Sequence, residues 1–464
     1  MRTLIAVTLV TIAKCCAFGA NYFVSTNGSD AASGLIGAPW VTLSKVATTA
    51  VAGDTVTFSD GVFAGTATTA ANSGTAANPV VIQGTSRAMT IISNHFTINQ
   101  SHWVFTNLTF HQQIRSDNTN GNNVSFRNVS FKHAGHAVYM TWVPPHGPIG
   151  FTFDGCDFSE WNDNGVIVFT GGMHTVTNCS FADNLGYDVF RVWGVSNRIS
   201  GSVFDRIISP TTNMVSYGNH ADIFQTFGNS NTNVTSRNFL VERCLFRLGT
   251  AQLGNLDKFD SDIGDWTFRN NIFYRCGGQL NCYIPGVRFL NNTFFETTRE
   301  TQLRFTVAAS NLGRGIPHNT WVVGNIFARC SDLPSSANHG FYSLATAYAT
   351  NCVIDYNMIY GTGGAIKNLI PGFDLHGING GDALFVNEST VDLSLSTNSP
   401  AIAASTNLSA FFASDYYGNT RTNWDIGAIS FGGEFGSGGG SGGGPAASGS
   451  GLRRAASGLI HRRR

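Results

Sequence analysis

Short stretches of alternating apolar and polar residues, broken by Asn and Gly, run through most of this chain. One phrase recurs, apolar–x–apolar–x–Asn/Gly–x–x–Phe. It reads WVFTNLTF ending at Phe110, VSFRNVSF at Phe131, FTFDGCDF at Phe158, HTVTNCSF at Phe181 and NRISGSVF at Phe204. It continues as FLVERCLF to Phe246, WTFRNNIF to Phe273, VRFLNNTF to Phe294 and TWVVGNIF to Phe327, with CVIDYNMIY, ending at Tyr360, a looser copy. Alternation turns one face of each strand inward. Asn107, Asn128, Asn178, Asn270 and Asn291 share one phase, where Gly155, Gly201 and Gly324 substitute, as a left-handed turn accepts. Stacked in register, these asparagines are expected to bond coil to coil as a ladder, with the phenylalanines stacking beside them.

Successive phenylalanines are 21–33 residues apart, except for a 42-residue gap from Phe204 to Phe246 that holds either two coils or one long loop. A second strand-like run follows most phrases: HAVYMTW (136–142), GVIVFTG (165–171), YDVFRVWG (187–194), HADIFQTFG (220–228) and TQLRFTV (301–307). Two or three short strands per coil predict an all-β right-handed parallel β-helix of roughly ten to twelve coils. At ~4.8 Å per coil that is a rod ~50 Å long. Val41 to Val51 carry an amphipathic pattern, with Leu43, Val46 and Ala47 on one face, which predicts a short N-terminal capping helix. NSPAIAAS (398–405) and YYGNTRTNWDIGAISF (416–431) are expected to close the other end.

Composition agrees: Gly 53, Phe 35 and only 12% charged residues among 464. A formal net charge of zero sets up no field for nucleic acid. Residues 1–20 read as a signal peptide, with Arg2 before an apolar Leu4–Ala13 core too short to span a bilayer. The protein is therefore expected to be exported, either secreted or held at the cell envelope, without a transmembrane segment; it is also expected to be a monomer. Residues 21–432 form the β-helix domain, and 433–464 a Gly/Ser-rich linker with a basic tail. Of nine cysteines, Cys15 and Cys16 leave with the leader. The remaining seven are too scattered for a disulfide framework, although Cys276 and Cys282 are close enough in sequence to pair.

The two ends also carry a resemblance. YFVSTNGSD and GAPWVTLSKVATTAVAGDTVTFSDGVF, within residues 22–63, together with the closing DIGAISF, resemble secreted bacterial β-helix proteins of the pectate-lyase-like superfamily. The resemblance spans residues 22 to about 432 and implies the fold. It leaves activity open, because that superfamily includes lyases, hydrolases, epimerases and non-catalytic surface proteins.

Candidate chemistry concentrates between residues 187 and 265. YDVFRVWG and HADIFQTFG align Asp188 over Asp222 and Arg191 over Gln225, and LDKFDSDIGD adds Asp257, Lys258, Asp260, Asp262 and Asp265. Asp222 and Gln225, three apart, fall on opposite faces of a regular strand unless a bulge intervenes. One reading is a polysaccharide lyase acting on a uronic-acid glycan. Arg191, or Ca2+ held by Asp257, Asp260 and Asp262, then neutralises the sugar carboxylate, and Lys258 is the base, provided calcium offsets the acidic neighbours that make lysine a poor one. A second is a glycoside hydrolase using paired carboxylates among Asp188, Asp222 and Asp260, with His220 carrying a proton. A third is a non-catalytic carbohydrate-binding scaffold. In the lyase and hydrolase readings, Trp142, Trp193 and Phe227 are candidates to stack on sugars, with Gln225, Asp188 and Arg304 as further contacts. His133 and His136, spaced HxxH, read as solvent-facing.

Overall fold

A computed structural model describes residues 19–433 except 118, 133–134, 142–146, 164, 185, 210–220, 229–233, 260, 278, 298–302, 306–314, 316, 331–341, 345–349 and 362–371. The expected leader and the linker with its basic tail therefore fall almost wholly outside the described residues. Among those described, no helix is long and apolar enough to cross a membrane.

Among the described residues, three parallel sheets wind around one core. The first has 13 strands, from Asn21–Val24 to Val353–Asp355; the second has 11, from Thr68–Thr69 to Tyr342–Leu344; the third has 13, from Gly61–Ala64 to Ile378–Asn379. Each strand pairs with the corresponding strand one coil away, which makes the chain a right-handed parallel β-helix. The opening turns, built on Thr55–Phe58 and Val80–Gly84, lack the phenylalanine phrase, and they carry the strand number slightly above the sequence estimate. The 42-residue interval is one coil with a long loop, because Val203 pairs directly with Leu245.

The phenylalanine column forms as expected. Phe110, Phe131, Phe158, Phe181, Phe204, Phe246, Phe273, Phe294 and Phe327 stack with ring centres 4.4–5.7 Å apart. Each such contact adds about 0.5–1.5 kcal/mol beyond simple burial. The turn residues before the column are left-handed: Asn107, Asn128, Asn178, Asn270 and Asn291 all have φ between 49° and 56°. Their bonding departs from a continuous ladder. Asn128 Nδ2 donates to Asn107 Oδ1 at 3.0 Å, but Asn178 Nδ2 donates to Asp154 Oδ1. Asn270 and Asn291 turn away to hold the C-terminal segment, through the carbonyls of Ser414, Asp425 and Gly427.

The unbroken ladder lies one residue later, facing inward. Asn271, Asn292, Asn325 and Asn357 each receive the preceding rung's backbone N–H on Oδ1, at 2.9–3.0 Å, and Asp374 Oδ1 ends the series. In earlier coils the same slot holds Leu108, Val129, Cys156, Cys179, Ser202 and Cys244, all buried. Cys276 and Cys282 are both free, buried thiols rather than a disulfide. Burial pushes the Cys244 and Cys330 thiols up, to about 12 and about 11, so both stay protonated and inert.

The amphipathic segment is a helix, Leu43–Thr49, whose buried face is Leu43, Val46 and Ala47 and whose N-cap Thr42 accepts the Lys45 N–H. The C-terminal segment closes the flank rather than the open end. Outward positions of the third sheet run Ser130, Asp157, Ser180, then Val203, Leu245, Ile272, Thr293, Ile326 and Met358. Polarity is lost where residues 383–429 pack over the sheet. Buried Arg421 pins that segment by donating to Asn270 Oδ1 and to the carbonyls of Gly427 and Ala428.

Candidate functional site

The outward face of the second sheet is a different surface. Its register places Thr97, Arg115, Tyr139, Val168, Arg191, Gln225, Asn255, Asn281 and Arg304 on successive rungs. Rungs are ~4.8 Å apart, so from Arg191 to Asn281 a run of guanidinium and amide side chains extends along the rod. Phe190, Phe224 and Leu256, buried beneath, are the inward partners that fix this phase.

Several polar atoms of the run are buried and unbonded: Arg191 Nε, Gln225 Oε1 and Asn281 Oδ1. Their other atoms are tethered. Arg191 Nη2 lies 3.5 Å from Asp188 Oδ2, and Asn281 Nδ2 donates to Gln252 Oε1 at 3.4 Å. Asn255 Nδ2 donates to Asp257 Oδ2 at 3.0 Å. Asn255 and Asn281 are thus each held through Nδ2 by a neighbouring side chain.

Arg191 does lie over Gln225. Asp188 and Asp222 are also neighbours, with the Asp222 N–H donating to Asp188 Oδ1 at 2.8 Å. Both carboxylates are buried, at 4% and 0% exposure, so neither is presented to a polymer on the surface. Alternation therefore holds without a bulge: Gln225 faces out, and Asp222 sits under the strand start. Trp193 is corrected likewise. Its indole is 5% exposed, packs edge-on to Phe227 at 5.1 Å and donates Nε1–H to the Phe227 carbonyl, which leaves no face for a sugar. Phe227 itself is half-buried against the core.

Asp257 is buried, whereas Asp262 is exposed on a separate three-stranded sheet and paired with Arg237, which also binds Asp265. Among the described residues no three His, Cys, Asp or Glu side chains converge on a cation position. Lys258 follows the strand Gln252–Leu256, partly exposed in the loop. His220, Trp142, Asp260 and the Arg304 side chain lie outside the described residues.

Sequence reasoning missed Asn255 and Asn281, because AQLGNLD and QLNCYI lack the aromatic centre that marked the other second-strand runs. Aligning every phrase to the next by its phenylalanine would have found them. It also missed Arg115 and Tyr139, which share the stripe.

No family model matches the sequence, and no curated protein matches it. Solved structures similar in chain path include the pectate lyase Pel9A, 14% identical, TM-score 0.49, covering 89% of this chain and 97% of that one. Another is XylC in complex with xylose, 10% identical, TM-score 0.48, covering 88% and 98%. A third is a mannuronic-acid-specific family 6 polysaccharide lyase from human gut microbiota, 13% identical, TM-score 0.43, covering 74% and 80%. These are what the chain is similar to; the β-helix assignment rests on its own strand order.

Proposed function

We propose that the outward face of the second sheet binds an acidic, uronic-acid-containing polysaccharide and cleaves it by β-elimination. The supporting observation is the stripe itself, in which the partly exposed Arg191, Gln225 and Asn281 share one outward register. A linear glycan presents polar groups at regular intervals, as the rungs do. Arg191 is oriented by Asp188 and would stabilise the charge that spreads onto the sugar carboxylate as the C5 proton leaves. Burial of Asp188 and Asp222 weighs against hydrolysis through that pair. An exported, monomeric protein working on polymers outside the cell agrees with the leader read at residues 1–20. No step is routed through calcium.

The test incubates purified protein with acidic and neutral polysaccharides, with calcium or with a chelator, following near-ultraviolet absorbance and reducing ends. Absorbance from unsaturated ends on an acidic glycan is expected. Arg191→Ala is expected to lower kcat/KM on that glycan by about 10²-fold or more with little change in thermal midpoint. Reducing ends without absorbance would establish hydrolysis instead, and binding without either signal a scaffold. Loss of activity in chelator would return calcium to the site through Asp260.

A further inference from the structure

We infer that His136 and Tyr139 are the proton-transfer pair of this stripe, which places bond breaking on the N-terminal side of Arg191; the inference rests on the elimination reading. His136 precedes the strand Val138–Met140, and its Nδ1 lies 2.7 Å from the Gly165 carbonyl oxygen. That contact fixes a proton on Nδ1 and leaves Nε2 as the atom that gains and loses one. Asp163 Oδ2, 3.4 Å from Nε2, is placed to stabilise the imidazolium. The imidazole keeps 16% exposure, so it is held yet reachable.

Tyr139 occupies the outward rung between Arg115 and Val168. Its ring centre is 4.8 Å from that of His136, and the Arg115 guanidinium lies 5.5 Å from the ring centre. Gly165, which holds His136, also abuts Arg191: at φ +82°, a Cβ added to it would sit 3.1 Å from Arg191 Cγ. The His136 support and the carboxylate-binding arginine therefore meet at one residue, and glycine is what lets them.

In the elimination, His136 Nε2 takes the C5 proton and the C5–H electrons form the C4=C5 double bond. The C4–O bond breaks, and the leaving oxygen takes the Tyr139 hydroxyl proton. The imidazolium then returns its proton to the neighbouring tyrosinate, so the protein ends as it began. No water or oxidant is consumed. Arg191 holds the carboxylate throughout. Lys258 lies on the other side, beyond the strand two rungs past Arg191 and next to buried Asp257.

Tyr139→Phe removes only a hydroxyl and keeps the ring under Arg115, and His136→Asn keeps a donor for Gly165. Each is expected to lower kcat by about 10²–10⁴-fold on an acidic polysaccharide that the wild type cleaves, with KM and thermal midpoint little changed. Lys258→Ala is expected to stay near wild type. Wild-type kcat in Tyr139→Phe, or collapse in Lys258→Ala alone, overturns the inference and leaves the elimination reading standing. A wild type that produces no unsaturated ends overturns both.

Discussion

Replacing Asn325 with alanine is expected to destabilise the C-terminal coils by about 3–5 kcal/mol, read as a lower urea midpoint. Asn325 is fully buried and makes four bonds. Its Oδ1 accepts from Asn292 N and Nδ2, and its Nδ2 donates to the Phe289 carbonyl and to Asn357 Oδ1, all at 2.9–3.0 Å. Alanine strands the Asn292 N–H and one Asn292 Nδ2 hydrogen where water does not reach, and it takes a donor from the Phe289 carbonyl and from Asn357 Oδ1, which keeps the Asn325 N–H. The control is Asn128→Gly, which keeps a left-handed turn and loses an amide that bonds Asn107 and Arg87 at the surface. That change should cost about 1 kcal/mol. Because a solenoid unfolds by neighbouring repeats, amide exchange in the Asn325 variant should quicken first around residues 289–357. Equal losses in the two variants would mean that the inner ladder is not what holds these coils together.

The same pair of residues explains what was legible in the sequence. The period, the phenylalanine column and the left-handed turn positions follow from residue chemistry repeated at a fixed spacing, and they can be read without coordinates. The inner ladder could not be assigned, because Asn270–Asn271 and Asn291–Asn292 are doublets. A shift of one residue moves a side chain from the turn to the core. In earlier coils the inner slot holds Leu108, Val129 and Cys156, so no repeated asparagine marks it. The apolar outward stripe from Val203 to Met358 likewise has meaning only once the returning segment lies over it.

Site residues divide in the same way. Arg191 over Gln225 was legible because both flank an inward phenylalanine at the same offset. Orientation of Asp188, Asp222 and Trp193 was not, since their burial depends on side chains from the next coil, including Phe227 over the Trp193 indole. His136 looked like a solvent residue because its anchor, the Gly165 carbonyl, is a backbone atom 29 residues away. Backbone acceptors leave no trace in a pattern of side chains.

Acid should act on this protein through one histidine before it acts on the fold at large. His174 is fully buried, stacked on Phe169 at 4.8 Å, and both ring nitrogens are used. Nδ1 accepts the Phe151 N–H at 3.1 Å, while Nε2 meets the Thr170 carbonyl at 2.6 Å and so carries the proton. A second proton on Nδ1 would face an N–H. Burial therefore lowers its pKa from 6.5 to about 4, against a smaller opposing effect of the Thr170 carbonyl. Between those values the unfolded chain binds a proton that the folded chain refuses. Stability is full above pH 6.5 and falls as the pH drops toward 4, by about 3 kcal/mol in all. Asn197 supplies the matching variant. It fills the same slot one coil on, accepting the His174 N–H on Oδ1 and donating Nδ2–H to the carbonyl four residues back. His174→Asn can keep both bonds without a titrating group. Its urea midpoint should start lower at pH 7, for the cavity beside Phe169, yet fall less than the wild type's between pH 6.5 and 4. Parallel curves would place the acid sensitivity elsewhere.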